Sequence, residues 1–368
     1  MRSLNNYNDN RYFLNALNAP TKVWKIKLVP LALKKDAAYG YAYEEMDEAL
    51  AINEEFIQSW DISQELCEGN FNFGNFNSST LKLVLNNKIM TKYSNYENEY
   101  KRYFNNTTFV GGCYRIKYSL LCTTDIIDKE TGKYITKYID ITMGSYICNK
   151  CSKEETKITL EFNDYATRFD NPIDTTQKIA ETGDELKIIV QRICLLNNMR
   201  YPITFTNSTY RLTKTPNLEG VATYRQLICY IAQLAGCNAI MDHDGYLQFR
   251  DFSTEESFLV DKTKYMTNSR ADYGFGGFGK IILKYIKTTT TTNEDGETET
   301  TEEELVTEKG EDVGTVIEFE ANPLYDGNQI VIDNIYNIND KVIFKNNNKL
   351  LGIYEKYEDK LRVWKNFI

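Results

Sequence analysis

Between Cys113 and Thr142 the sequence alternates twice around one turn. Tyr114, Ile116 and Tyr118 interleave with Arg115, Lys117 and Ser119, and Lys133 to Thr142 repeats the pattern with Tyr134, Tyr138 and Ile139. A period of two sends alternate side chains to opposite faces of a strand. Asp128-Lys129-Glu130-Thr131-Gly132 between the runs is a turn cluster. The segment therefore reads as a long β-hairpin. Its neighbours extend the same reading. Thr21 to Val29 alternates, Leu81-Lys82-Leu83-Val84-Leu85 is a strand, and Thr156 to Phe162 adds another. Residues 21–165 are thus expected to be mostly antiparallel β.

The middle of the chain changes period. Thr182 with Glu185 forms a capping-box pattern, followed by Leu186, Ile189, Val190 and Ile193 at helical spacing, with Asn197-Asn198 ending the run. Thr223 with Gln226 repeats it, followed by Tyr224, Leu227, Ile228, Ile231 and Ala235, with Gly236 at the C′ position. Both helices are apolar on one side and should pack on a sheet. Asp242 to Gly245 reads as a tight turn into the strand Tyr246 to Arg250. Lys280 to Ile286 and Val313 to Phe319 return to β. Between them Thr288 to Thr292, an Asp295-Gly296 turn signal and the acids up to Glu304 read as a solvated, projecting hairpin tip. The first twenty residues are polar and aperiodic, and read as an arm that orders only against a partner.

Composition narrows the chemistry. The chain has 368 residues, a net charge of −9 and a single histidine, His243. A phosphate-gripping nucleic-acid binder normally carries a basic surplus. One histidine leaves no HExxH zinc site and little room for a histidine-dependent triad. No apolar run is long enough for a transmembrane helix, and the stretch after Met1 has no apolar core of a secretory signal. The eight cysteines are therefore expected to be free thiols. Cys148 and Cys151 have metal-like spacing, but no second CxxC completes a structural zinc set. Gly274-Phe275-Gly276-Gly277-Phe278-Gly279-Lys280 matches phosphate-binding patterns by letter. The helix that such a loop must open is replaced by the β-rich Ile281 to Ile286, so a loop or bulge is expected. Asp242-His243-Asp244-Gly245 lacks the glycine position of a calcium loop, and is read as a polar turn exposing His243. No GxSxG elbow occurs. No catalytic, cofactor-binding or metal residue is expected, and the chain is not read as an enzyme.

A series of short motifs then runs in order along the chain. These are Trp60-Asp61-Ile62, Glu65-Leu66-Cys67, Phe73-Gly74, Ser79-Thr80-Leu81-Lys82-Leu83, Gly144-Ser145-Tyr146-Ile147, Asp164-Tyr165 with Phe169-Asp170, Thr223 to Cys237, Asp244-Gly245-Tyr246-Leu247 and Asn322-Pro323-Leu324. Together they resemble the baseplate hub, or N-terminal tail-associated, family of phage tails and related contractile particles. The resemblance implies a mainly β chain with α+β insertions, containing two tail-tube-like antiparallel β-barrel domains and small helix-containing domains. On that basis the expected map is an arm (1–20), a first barrel-like domain (21–170) and a helix-containing domain (171–260). A second barrel-like domain (261–325) with the acidic hairpin 288–304 and a C-terminal segment (326–368) complete it.

The implied role is structural: a homotrimer at the tail tip, adapting the sixfold tube to a threefold tip. Implied partners are the tail tube or distal tail ring, the tape measure protein, and the tip spike or receptor-binding proteins. No membrane anchor is expected. DNA would only pass through the lumen, where negative charge would keep it from sticking. The implied location is the virion tail tip, after assembly in the host cytoplasm. The alternatives are a cell-wall-degrading tail-tip enzyme and a surface carbohydrate-binding adhesin. The first lacks a catalytic constellation, and the second would be expected to carry a signal or anchor.

Overall fold

The computed structural model describes residues 7–36, 40–47, 50–64, 73–86, 109–202, 204–250, 256–261, 278–292, 298–310, 315–325, 354–357 and 360–364. The first strands are β1 (Trp24–Asp36), β2 (Gly40–Glu45), β3 (Ile52–Asn53), β4 (Ile57–Ser63) and β5 (Thr80–Asn86). They are followed by β6 (Cys113–Ile127), β7 (Tyr134–Lys153) and β8 (Lys157–Asp164). All eight form one antiparallel sheet in the order β2-β1-β6-β7-β8-β5-β4, with β3 beside β1. The alternating runs of the sequence are the β6–β7 hairpin, paired from Cys113↔Ile147 to Ile127↔Tyr134. Its turn is held by Asp128, whose Oδ1 accepts from the amides of Glu130 (2.8 Å) and Thr131 (3.1 Å). Gly132 there has φ +65°, a left-handed conformation suited to glycine.

The sheet rolls up. Leu28 of β1, Ile52 of β3, Leu83 of β5, Ile116 of β6, Tyr146 of β7 and Leu160 of β8 share one apolar core. Strands β1 and β5 are not neighbours in the ladder, so only curvature brings their side chains together. Each fully buried Leu or Ile contributes about 1.5–3 kcal/mol. One stretch of chain spans the gap, since β3 pairs with β1 and β4 pairs with β5. Between them Glu54–Phe56 takes a 3₁₀ turn with no buried residue, and the β4–β5 register shifts between Ile57 and Ser59. Among the described residues the ladder is thus interrupted, and the mainly β fold is a rolled open sheet without a closed barrel. At this corner Phe56 and Ile57 pack against the core while Glu54 and Glu55 stay in solvent, and the chain leaves the ladder in a 3₁₀ turn.

The N-terminal reading needs correction. Tyr7–Asn18 is helix α1, and it docks on its own chain. Tyr12 and Phe13, with Ala16 and Leu17, cover Leu120, Cys122 and Ile139 on the sheet. Arg11–Asp125 and Lys137–Asp9 ion pairs flank the contact. The stripe is barely more than one turn long, too short to show as periodicity among the asparagines.

The second layer contains α2 (Leu186–Leu196), α3 (Tyr224–Ala235), β9 (Asn238–Met241) and β10 (Leu247–Arg250). Thr223 caps α3 by accepting from Gln226 N (3.3 Å), and Gly236 ends it at φ +67°. The capping box expected at Thr182 does not form. Glu185 occupies the N-cap of α2 without a side-chain bond to a helix amide, while the Thr182 hydroxyl is 3.1 Å from that of Thr215. The two helices pack on each other's apolar faces and on β9, in a core that includes Ile189, Ile193, Leu227, Ile231 and Ala239.

The remaining strands are β11 (Glu256–Asp261), β12 (Phe278–Thr292), β13 (Thr298–Gly310), β14 (Thr315–Glu318), β15 (Tyr354–Tyr357) and β16 (Lys360–Trp364). They form two three-stranded sheets, β11-β16-β15 and β13-β12-β14. The glycine run 274–277 and the Asp295-Gly296 turn lie outside the described residues. Strand β12 runs straight through the threonines, pairing with the acidic strand β13 from Lys280↔Gly310 to Thr292↔Thr298. Most of the segment read as a tip is therefore ordered ladder. Its base packs into the helical layer through Leu283, Ile317 and Phe319.

Truncating Phe13 to Ala should remove about 3–5 kcal/mol of local burial. Burial holds the Cys122 thiol up to about 11. The expected outcome is that α1 undocks and Cys122 becomes alkylated at mildly alkaline pH, while circular dichroism retains the β signal.

Candidate functional site

The sheet and the helical layer meet at a junction organised by Asp164, the last residue of β8. Its Oδ1 accepts from Ser78 Oγ (2.8 Å) and Ala166 N (3.0 Å), and its Oδ2 accepts from Ser79 N (2.8 Å). The Ser79 hydroxyl is in turn 3.2 Å from Tyr146 Oη. One carboxylate thus ties the entry of β5 to the exit of β8 and caps the 3₁₀ helix Tyr165–Asp170. Burial raises its pKa, and the Ser79, Ser78 and Ala166 hydrogen bonds and the Arg225 charge pull the other way.

Tyr165 follows, fully buried and stacked on Tyr43 of β2 with ring centroids 4.3 Å apart. Its ring fills the space where a Cβ on Gly245 would stand, and Gly245 has φ +83°. Glycine is required there twice over, for conformation and for room. Gly245 belongs to the β9–β10 turn, where Asp242 Oδ1 accepts from the amides of Asp244 (3.0 Å) and Tyr246 (2.8 Å). Burial raises the pKa of Asp242, and Asp244 adds like-charge repulsion, against the pull of these hydrogen bonds.

The turn is clamped from the sheet side. Ser145 Oγ donates to His243 O (2.9 Å). Arg115, with a side chain only 10% exposed, donates to Ser145 Oγ (3.2 Å), Glu45 Oε1 (2.9 Å) and Asp244 O (3.2 Å). Lys117 donates to the other Glu45 oxygen (2.6 Å), and Lys27 pairs with Asp140 (2.7 Å). Burial pulls the Glu45 pKa up, but Lys117 and Arg115 together outweigh it and hold the carboxyl low.

On the helix side Arg225 grips both oxygens of Asp170 (2.5 and 2.8 Å) and donates to Phe76 O (3.2 Å). Gly74 N donates to Cys237 O (2.8 Å). Asn322 Nδ2 donates to Tyr230 O (2.9 Å) and Gln233 Oε1 (3.1 Å). The segments 73–79, 144–147, 164–170, 223–247 and 322–324 thus meet in one place. Trp60 is elsewhere, on β4, and Glu65-Leu66-Cys67 lies outside the described residues.

This arrangement holds layers together through fixed polar contacts. His243 is half-buried, not exposed as expected, because its Nδ1 lies 3.0 Å from Met143 O. Cys148 and Cys151 both face the sheet core, because a bulge between Cys148 and Lys150 puts them on the same side. Burial pushes the Cys148 thiol up to about 12 and raises that of Cys151, so both stay protonated at neutral pH. Among the described residues no three His, Cys, Asp or Glu side chains gather as a metal would require. The sequence did not single out Arg115, Glu45 or Asp140. Alternation put Arg115 and Lys117 on the polar face, where Glu45 at the end of β2 contacts both and the β9–β10 turn contacts Arg115.

No protein-family model matches the chain, and no curated protein does. Among solved structures, the chain is similar to the 43 kDa tail protein of prophage MuSo2 from Shewanella oneidensis. The identity is 14% and the TM-score 0.34, over 70% of this chain and 64% of that one. It is also similar to a tail protein from Neisseria meningitidis MC58, at 9% identity and TM-score 0.37, over 81% of this chain and 72% of that one. The chain therefore spans just under two thirds of the first of these proteins.

Replacing Gly245 by Ala should cost about 2–4 kcal/mol, from left-handed strain plus overpacking against Tyr165. Urea denaturation would measure it. Asp242→Asn tests the raised carboxyl. A folded pKa above the unfolded value means that wild-type stability falls as pH rises through that interval. The variant lacks this fall, so its stability relative to wild type should improve from pH 4 to pH 7 (roughly the span above an unperturbed aspartate).

Proposed function

We propose that this chain is a structural component of a phage tail, and within the tail the hub that closes the tube at its tip. The observation that carries the reading is the convergence at the junction. Motif segments that resemble the hub family, from Phe73-Gly74 to Asn322, are linked by contacts through Asp164, Tyr165, Gly245 and α3, while Trp60 lies apart on β4.

Under this reading the rolled sheet is the first of two barrel-like domains, completed in the assembly. Strands β2 and β4 are the sheet's two edges. Five of the seven residues of β4 are solvent-exposed, including Trp60 at 43%. An open edge of this kind is a template for pairing with another chain. The far end of the β6–β7 hairpin exposes Ile126 and Tyr134 at 59% each, together with Ile127 and Ile135. Clusters of this chemistry suit wide protein contacts. The proposed assembly is a homotrimer joining the tube or distal ring to the tip spike, with the tape measure protein and DNA passing through.

The acidic ribbon fits the same role. From Thr289 to Thr292 and from Thr298 to Glu304 the described side chains are exposed on both faces. A lone two-stranded ribbon is marginal in water, so a basic neighbour in the particle is its proposed partner.

Two measurements test the proposal. Light scattering of the purified chain should show trimers, or concentration-dependent association; a monomer that stays monomeric at high micromolar concentration would overturn it. Replacing residues 289–301 by a two-residue turn keeps the Thr288↔Glu302 pair in register. That variant should fold with unchanged thermal stability and fail in particle assembly.

A further inference from the structure

A small cavity lies where the sheet meets the β9–β10 turn. Ser79, Ser145, Tyr146 and Asp164 line it from the sheet, and Asp242 and His243 line it from the turn. Its volume is about 10 Å³, which is the room that one water molecule needs. The four sheet residues around it are all buried. Two carboxyls from different layers of the molecule therefore border one water-sized space.

The supply of hydrogens around this space is lopsided. A hydroxyl has one hydrogen to donate. That of Ser145 goes to His243 O (2.9 Å), and that of Ser79 goes to Ser63 O (3.1 Å). The Tyr146 hydroxyl is then left to donate to Ser79 Oγ (3.2 Å). His243 Nδ1 faces the carbonyl of Met143 (3.0 Å), so it carries the hydrogen of the neutral ring. The carboxyls have the opposite surplus. Asp164 Oδ2 accepts from Ser79 N (2.8 Å), and Asp242 Oδ2 accepts from Gln248 Nε2 at a long 3.4 Å. Each ionised carboxylate oxygen can accept about two bonds, so both have capacity to spare. The guest must bring hydrogens to two acceptors at once and be no larger than a water. A metal ion would need a third ligand of this kind, and among the described residues no such group gathers.

We propose that this cavity binds a single structural water molecule, which donates one hydrogen to Asp164 and the other to Asp242. The direct hydrogen bonds from the sheet to the turn start from Arg115 on β6 and from Ser145 and Met143 on β7. The water adds β8 to that set through Asp164. A bridging water is nearly as good a link as a direct hydrogen bond, so it completes the attachment of the β9–β10 turn to the sheet. The inference rests on the cavity and its hydrogen bonds alone, and it would stand if the tail reading failed.

The experiment is a high-resolution crystal structure of the full chain near neutral pH, with and without rubidium in place of sodium. The expected result is one solvent peak per chain, within hydrogen-bond distance of a carboxylate oxygen of both aspartates and without anomalous signal in rubidium. Three results would overturn the proposal: no peak in the cavity, the two carboxyls in direct contact over a shared proton, or a peak with the rubidium signal, which would make the guest an ion. Asp242→Leu and Asp242→Asn extend the test. The leucine removes one acceptor and should abolish the peak, and a peak that persists unchanged there shows that Asp242 does not hold it. The asparagine retains a polar partner and should keep the peak. Should Asp242→Leu fail to fold, the wild-type maps with sodium and rubidium decide by themselves.

Discussion

A buried aspartate organises this molecule. Asp164 closes β8, holds the start of β5 through Ser78 and Ser79, and starts the 3₁₀ helix through Ala166. Taking a carboxylate out of water is costly, and three short hydrogen bonds offset that cost only while all three donors stay in place. The next residue, Tyr165, is thereby aimed at Gly245, and the β9–β10 turn can approach only because that position has no side chain. Removing one donor would leave a buried oxygen short of a partner, at about 1–3 kcal/mol. Such interactions specify one arrangement more than they add stability.

The charges around the junction follow the same logic. Arg115 is nearly buried yet reaches Glu45, Asp244 and Ser145, so it joins β2, β6, β7 and the β9–β10 turn at one point. Breaking a buried pair by removing one partner typically costs about 3–5 kcal/mol, because the other charge is stranded. Depressed Glu45 and raised Asp164 and Asp242 act oppositely on acidification. Glu45 loses its favourable pairing as pH falls through its folded pKa, while the two aspartates are relieved of their burial penalty by taking up protons. The junction therefore has opposing responses to acid.

The helical layer and the ribbon bear on the junction from the other side. Asn322, at the end of the segment after β14, satisfies the carbonyl of Tyr230 and the side chain of Gln233 on α3. Phe319 packs edge-on against Phe73. The base of the acidic ribbon is thus anchored in the same core as the helices, while its outer part carries charge into solvent.

Local rules explain what was legible in the residues alone. The β6–β7 hairpin, the caps of α3 at Thr223 and Gly236, and the turn at Asp242–Gly245 depend on neighbours within a few positions, so period and cap chemistry sufficed. The capping box at Thr182 looked equally good and failed, because Thr215, far along the chain, took its hydroxyl. Helix α1 escaped notice because its stripe has meaning only against Leu120, Cys122 and Ile139. Continuous barrel closure depended on whether Glu54–Phe56 would stay in the ladder, and the chain instead takes a 3₁₀ turn there. The burial of Arg115 and the half-buried setting of His243 depend on which face another segment covers. By itself the sequence determined the kinds and limits of many of its elements, since those follow from neighbouring side chains competing for backbone and water. The tertiary structure alone decided which polar groups lost their water and which partners replaced it, because burial belongs to a surface shared by segments distant in the chain.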